Sequence, residues 1–223
     1  MNLALLSSYL TYAAPLISLL GIIVGIYHYK RLPGFFKVVF YYLILALIFD
    51  VSSKVVGRIY KTNLVFISSF AVFELLLFGY LYARYMFEKK LSKVVIIITI
   101  LGLTAVLYDC FKTDYFPLKF QTYARTIGDF LIVSFSMMYF FAKLSKGTNP
   151  GNNKIVLNTY ILIYFALHFI FFIPINFIVN ASTTFIYAFL IGNMILTASF
   201  YGSLLYLLWK NGRILKPSPS GLG

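Results

Sequence analysis

The stretch TTFIYAFLIGNMILTASFYGSLLYLLW, residues 183–209, contains no charged side chain. Coiled as an α-helix at 1.5 Å per residue it extends about 40 Å, more than the roughly 30 Å of hydrocarbon in a bilayer. A helix satisfies its own backbone N–H and C=O groups, so such a segment can lie in lipid, where water cannot do so for it. Moving outward toward the amino terminus, comparable apolar runs recur near 155–176, 119–142, 93–110, 64–86, 36–57 and 6–29. The breaks between them carry turn residues: Leu32-Pro33-Gly34, Asn149-Pro150-Gly151, and Pro174 with Asn176. The pattern predicts an all-α integral membrane protein, a seven-transmembrane-helix bundle forming one domain over 1–213, with a short tail over 214–223.

Composition leads to the same class. The chain is 61% hydrophobic and only 11% charged, whereas a soluble domain is about half apolar and about a quarter charged. One small globule could not hide that much apolar surface, but lipid solvates it. The first run lacks a basic leader and is too long for a signal-peptide core, so it reads as a retained helix.

The net charge of +13 does not point to nucleic acid, because the basic residues sit between apolar runs rather than along one folded face. Thirteen of the 19 fall on one set of alternate connections: Lys30, Arg31, Lys37, Arg84, Lys89, Lys90, Lys93, Lys143, Lys146, Lys154, Lys210, Arg213 and Lys216. The other set receives Lys54, Arg58, Lys61, Lys112 and Lys119. The richer side is expected to face the cytoplasm and its anionic lipids. With seven crossings the amino terminus then lies outside and the carboxyl terminus in the cytoplasm, in a multi-pass protein of the cell membrane (inner or plasma). Tyr27, Tyr29, Tyr60, Tyr85, Tyr160 and Trp209 sit near run ends, where amphipathic rings suit the interface. Gly21 and Gly25, with Ser18 one turn earlier, form a small-residue face suited to close helix contact.

Function is sought in the ionisable residues inside the runs, each costing roughly 2.5–3.5 kcal/mol at a helix centre unless it meets a partner or water. Asp50, Ser53, Lys54 and Gly57 share one face of the second run. There Asp50 and Lys54 have the spacing of a local ion pair, with Lys54 extending outward as the alternative. Glu74 lies near the middle of the third run, nearly three turns from Arg84, so it must pair across helices, meet water or stay protonated. The fifth run carries a polar stripe of Thr122, Arg125, Asp129 and Ser136, the sixth has Tyr164 and His168 one turn apart, and the seventh has Asn193 and Thr197. By depth, Asp50, Lys54, Glu74, Arg125, Asp129 and His168 all fall between the midplane and the outer surface, and if they converge they line a polar pocket to which Asn193 contributes. Three carboxylates against Lys54 and Arg125 leave one negative charge in excess, so occupancy of such a pocket is expected to respond to outside pH.

Several chemistries are marked down. The last run has no lysine for a retinal Schiff base, and His28 and His168 lie too far apart in depth to share a metal. Cys110 is the only cysteine, and no nucleophile elbow, H-E-x-x-H or phosphate-binding glycine loop is present. No catalytic residue, metal site or cofactor is assigned, which favours binding over catalysis. The expectation is a small receptor-like or sensor-like protein that takes a small polar or amphipathic ligand in its outer half. It would pass the signal to a cytoplasmic or membrane protein partner through the basic segments at 84–93 and 143–154. The alternatives are a proton- or cation-coupled carrier of small solutes, an intramembrane lipid-modifying enzyme, and a subunit of a larger membrane complex.

Overall fold

The computed structural model describes residues 3–60, 63–112, 123–145, 152–173 and 183–214. Every regular element among them is helical: α1 (Leu3–Leu10), α2 (Ala13–His28), α3 (Gly34–Tyr60), α4 (Leu64–Leu81), α5 (Lys89–Lys112), α6 (Ala124–Leu144), α7 (Asn152–Phe172) and α8 (Thr183–Ile214). Six segments are long and apolar enough to cross a membrane: Leu5–Arg31, Gly34–Tyr60, Lys89–Lys112, Ala124–Leu144, Asn153–Phe172 and Phe185–Arg213. The chain is therefore a multi-pass membrane protein. Thr122, Lys146, the Asn149-Pro150-Gly151 break, Pro174, Asn176 and the tail lie outside the described residues.

The expected first run, 6–29, is divided in two, for a local reason. Pro15 lacks the N–H that would bond back to the Thr11 carbonyl, and its ring crowds that oxygen. The helix stops at Leu10, turns through Thr11 and Tyr12, and restarts at Ala13. A π-helical turn, Tyr82–Met86, ends the third run and closes with Phe87 N–H donating to Tyr82 O at 3.0 Å. It leaves the Tyr85 carbonyl to accept from Lys154 Nζ of α7 at 2.7 Å, a cation at a helix carboxyl end, as the macrodipole favours.

The helices α2, α3, α4, α6, α7 and α8 form a closed ring, each packed on the next and α8 returning to α2, while α5 lies outside against α4 and α6. The basic ends come together on one side: His28 lies on Gly212, Gly34 on Tyr85, and Lys154 bonds across to the π turn that follows α4. At the opposite end, the Asp109 carboxylate of α5 accepts from Tyr123 N–H and Ala124 N–H at 2.8 Å each. That caps the first turn of α6, where backbone donors lack helical partners, and sets the position of Arg125 one residue on.

Gly21 and Gly25 are buried where α2 crosses α3, and a side-chain carbon at Gly21 would stand 2.6 Å from Leu43 Cδ1, while one at Gly25 would enter the Phe40 ring. Close approach there depends on the missing Cβ. Gly25→Leu is expected to destabilise the protein by about 1–3 kcal/mol through overpacking, read as a lower midpoint of thermal unfolding in detergent. An unchanged midpoint would mean that α2 can move off α3 freely.

Candidate functional site

Arg125 enters the ring from the first turn of α6, buried to 4% exposure, and its surroundings account for most of the bundle's interior charge. Its Nη1 lies 2.6 Å from Glu74 Oε2 of α4. The second Glu74 oxygen, Oε1, accepts from Tyr42 OH of α3 at 2.7 Å. Arg125 Nε is 3.7 Å from Asp129 Oδ1 one turn along α6, and Asp129 Oδ2 is 2.6 Å from His168 Nδ1 of α7. The centres of the Phe70 and Phe172 rings lie 5.1 and 5.7 Å from the guanidinium carbon. Four helices thus contribute one side chain or more to a single buried network, as an ionised group in a low dielectric requires.

His168 pairs with Asp129 and also meets Arg125 through both ring nitrogens: Nδ1 lies 2.6 Å from Asp129 Oδ2 and 3.4 Å from Arg125 Nε, and Nε2 lies 3.4 Å from Arg125 Nη2. The pair resembles the base and orienting acid of a hydrolase, but the position where such a site needs a nucleophilic oxygen holds a guanidinium.

Beside this network lies a cavity of about 170 Å3 bounded by α3, α4, α6, α7 and α8. Its lining carries Arg125 and His168 together with Asp50, Ser53, Asn193 and Thr197, among aromatic rings that include Phe49 and Tyr164. An adjoining cavity of about 270 Å3 reaches toward Thr11, Lys54 and Asn63, and the two share Asp50, Ser53, Asn193 and Thr197 as a common wall. The shared wall carries two buried oxygens, Asp50 Oδ2 and Asn193 Oδ1, with no hydrogen-bond partner among the described residues.

The sequence-predicted residues therefore divide into three groups. Glu74, Arg125, Asp129 and His168 are brought into one network, and Asp50 and Asn193 face the cavity beside it. Lys54 lies outside the network and lines the adjoining cavity. The local Asp50–Lys54 ion pair that the spacing allows is not formed, because Lys54 Nζ donates instead to the Thr11 carbonyl and lies 4.8 Å over the Tyr12 ring. The reason is again Pro15, which frees that carbonyl from the helix ladder.

Sequence reasoning missed Tyr42 and, nearer the basic end, a second polar knot. Asn158 of α7, fully buried, accepts from Tyr82 OH at 2.7 Å and from Ser136 Oγ at 3.0 Å, while its Nδ2 donates to Ser136 O at 3.2 Å. Ser136 was visible as part of the α6 stripe, but uncharged amides and phenols give little warning in a sequence with 19 tyrosines. Asn158→Leu is expected to cost about 1–3 kcal/mol by leaving the Tyr82 hydroxyl and Ser136 groups unpaired in the core, measured by unfolding in detergent. A neutral result would mean those groups find new partners.

No group of three or more histidine, cysteine, aspartate or glutamate side chains is placed to hold a metal among the described residues. The chain matches no protein-family model, no curated protein and no solved structure. What defines its class is the apolar helical bundle of a multi-pass membrane protein built around buried charge.

Proposed function

We propose that the chain is a seven-helix receptor-like or sensor-like protein of the cell membrane, with its amino terminus outside, that binds a small amphipathic molecule in the cavity between the arginine network and Asp50. In this reading α4 and its π turn make the seventh crossing, and the lysine-rich end faces the cytoplasm. The observation that carries the proposal is a pair of vacant acceptors on the cavity lining: Asp50 Oδ2 and Asn193 Oδ1 are buried with no donor among the described residues. Buried polar groups are ordinarily bonded, so the vacant acceptors favour a ligand with donors at one end and an apolar body for the aromatic walls. A protonated amine on an aromatic or alkyl frame has that chemistry.

The carrier reading has no observation of its own, since the interior toward the basic end is filled by Tyr82, Phe135, Tyr139 and the Asn158 knot. Thermal unfolding of the purified protein against a set of small amphipathic amines and matched neutral and anionic analogues tests the proposal. Amines alone should raise the midpoint, and that rise should vanish in Asp50→Asn. Equal shifts from all three sets, or none from any, would remove the reading.

A further inference from the structure

A second candidate site lies at the lysine-rich end, along α2 and α8, and does not depend on the ligand reading above. The groove has a volume of about 510 Å3 and is lined by Ile23, Val24, Tyr27, His28, Arg31, Trp209 and Arg213. Its apolar part runs along the exposed face of α2, where Ile23 and Tyr27 are open to the surroundings. Its upper part holds two guanidinium groups. Arg213 is held in place by Trp209, with its guanidinium carbon 4.1 Å from the centre of the indole-side ring system. Neither arginine meets a carboxylate among the described residues. His28 also lines it, 6% exposed, with Nδ1 buried and without a hydrogen-bond partner among the described residues.

We infer that this groove binds one anionic glycerophospholipid, its phosphate between Arg31 and Arg213 and an acyl chain along Ile23 and Val24. The charge is complementary, and the order of the parts matches a lipid's: cations at the helix ends, an amphipathic ring at interface depth, then apolar surface. A soluble anion would use the arginines but leave the apolar length of the groove empty. Arg213 stacked on Trp209 is already ordered, so binding forfeits little of its freedom.

Trp209 is the chain's only tryptophan, so its fluorescence, excited at wavelengths beyond tyrosine absorption, reports on this groove. The experiment reconstitutes the full chain in phosphatidylcholine bilayers with a small fraction of lipid brominated on its acyl chains, either phosphatidylglycerol or phosphatidylcholine. The relative association constant is read as the ratio of quenching by the two, which cancels changes in Trp209 emission itself. A preference for phosphatidylglycerol of at least about fivefold, the scale expected for one arginine near a membrane surface, should fall to near one in Arg31→Gln/Arg213→Gln. It should persist in Lys90→Gln/Lys93→Gln, which removes the same charge from the same end away from the groove. Equal quenching by both lipids in the native chain would overturn the proposal. So would a preference that the lysine pair abolishes as fully as the arginine pair, since attraction would then be general rather than seated in the groove.

Discussion

Arg125→Leu is expected to destabilise the folded bundle by about 3–5 kcal/mol, the usual penalty for removing one partner of a buried ion pair. The side chain answers Glu74 at 2.6 Å and lies 3.7 Å from Asp129, both almost fully buried. Without it two carboxylates remain among Phe70, Phe172 and His168 with no lysine or arginine paired to them among the described residues. The loss should be read as a shift in unfolding midpoint in detergent or mixed micelles. Combining Arg125→Met with Glu74→Gln should recover part of it, because an unpaired charge in low dielectric costs more than an absent pair. Coupling between the two sites should reach about 1–3 kcal/mol. A loss near 0.6 kcal/mol, the average for interhelical hydrogen bonds in lipid, would mean that water or a proton already neutralises the acids.

Asp50→Asn is expected to act in the opposite direction on stability while removing function. Asp50 Oδ2 is buried without a donor among the described residues, and Lys54, one turn away, is committed to Thr11. Replacing the carboxylate by an amide should therefore raise stability by about 1–2 kcal/mol, the scale of an unsatisfied buried group. The same change should weaken binding of an amphipathic amine at least about tenfold, since hydrogen bonds to charged groups contribute about 1.5–3 kcal/mol. Gain of stability with loss of binding is the mark of a site maintained for function. If Asp50→Asn lowers stability, the carboxylate is part of the bundle's own support and the cavity loses its main argument.

Much of the bundle was legible because lipid makes local sequence unusually informative. Glu74, Arg125, Asp129 and His168 stand out in apolar runs, since an ionised group in hydrocarbon must be answered by a partner. Gly21 and Gly25 were readable as a close-contact face for a comparable reason, as only a missing side chain lets helices approach that closely. Tyr42 and Asn158 were hidden, because a phenol or amide in lipid is cheap enough to occur anywhere. The capping carboxylate of Asp109 was hidden too, because its partners begin 14 residues away in sequence.

The sequence by itself determined that apolar helices cross a bilayer, where their basic ends fall, and that several charges would need company. These are local quantities, set by side-chain hydration and by the backbone's need to satisfy itself without water. Tertiary structure alone decided the partners. The order of helices in the ring and the rotation of each about its axis turned Arg125 toward Glu74, left α5 outside, and left Asp50 facing a cavity. A proline forty residues away drew off Lys54. Helix spacing specifies which residues share a face, but the face across from it depends on how all the helices pack at once.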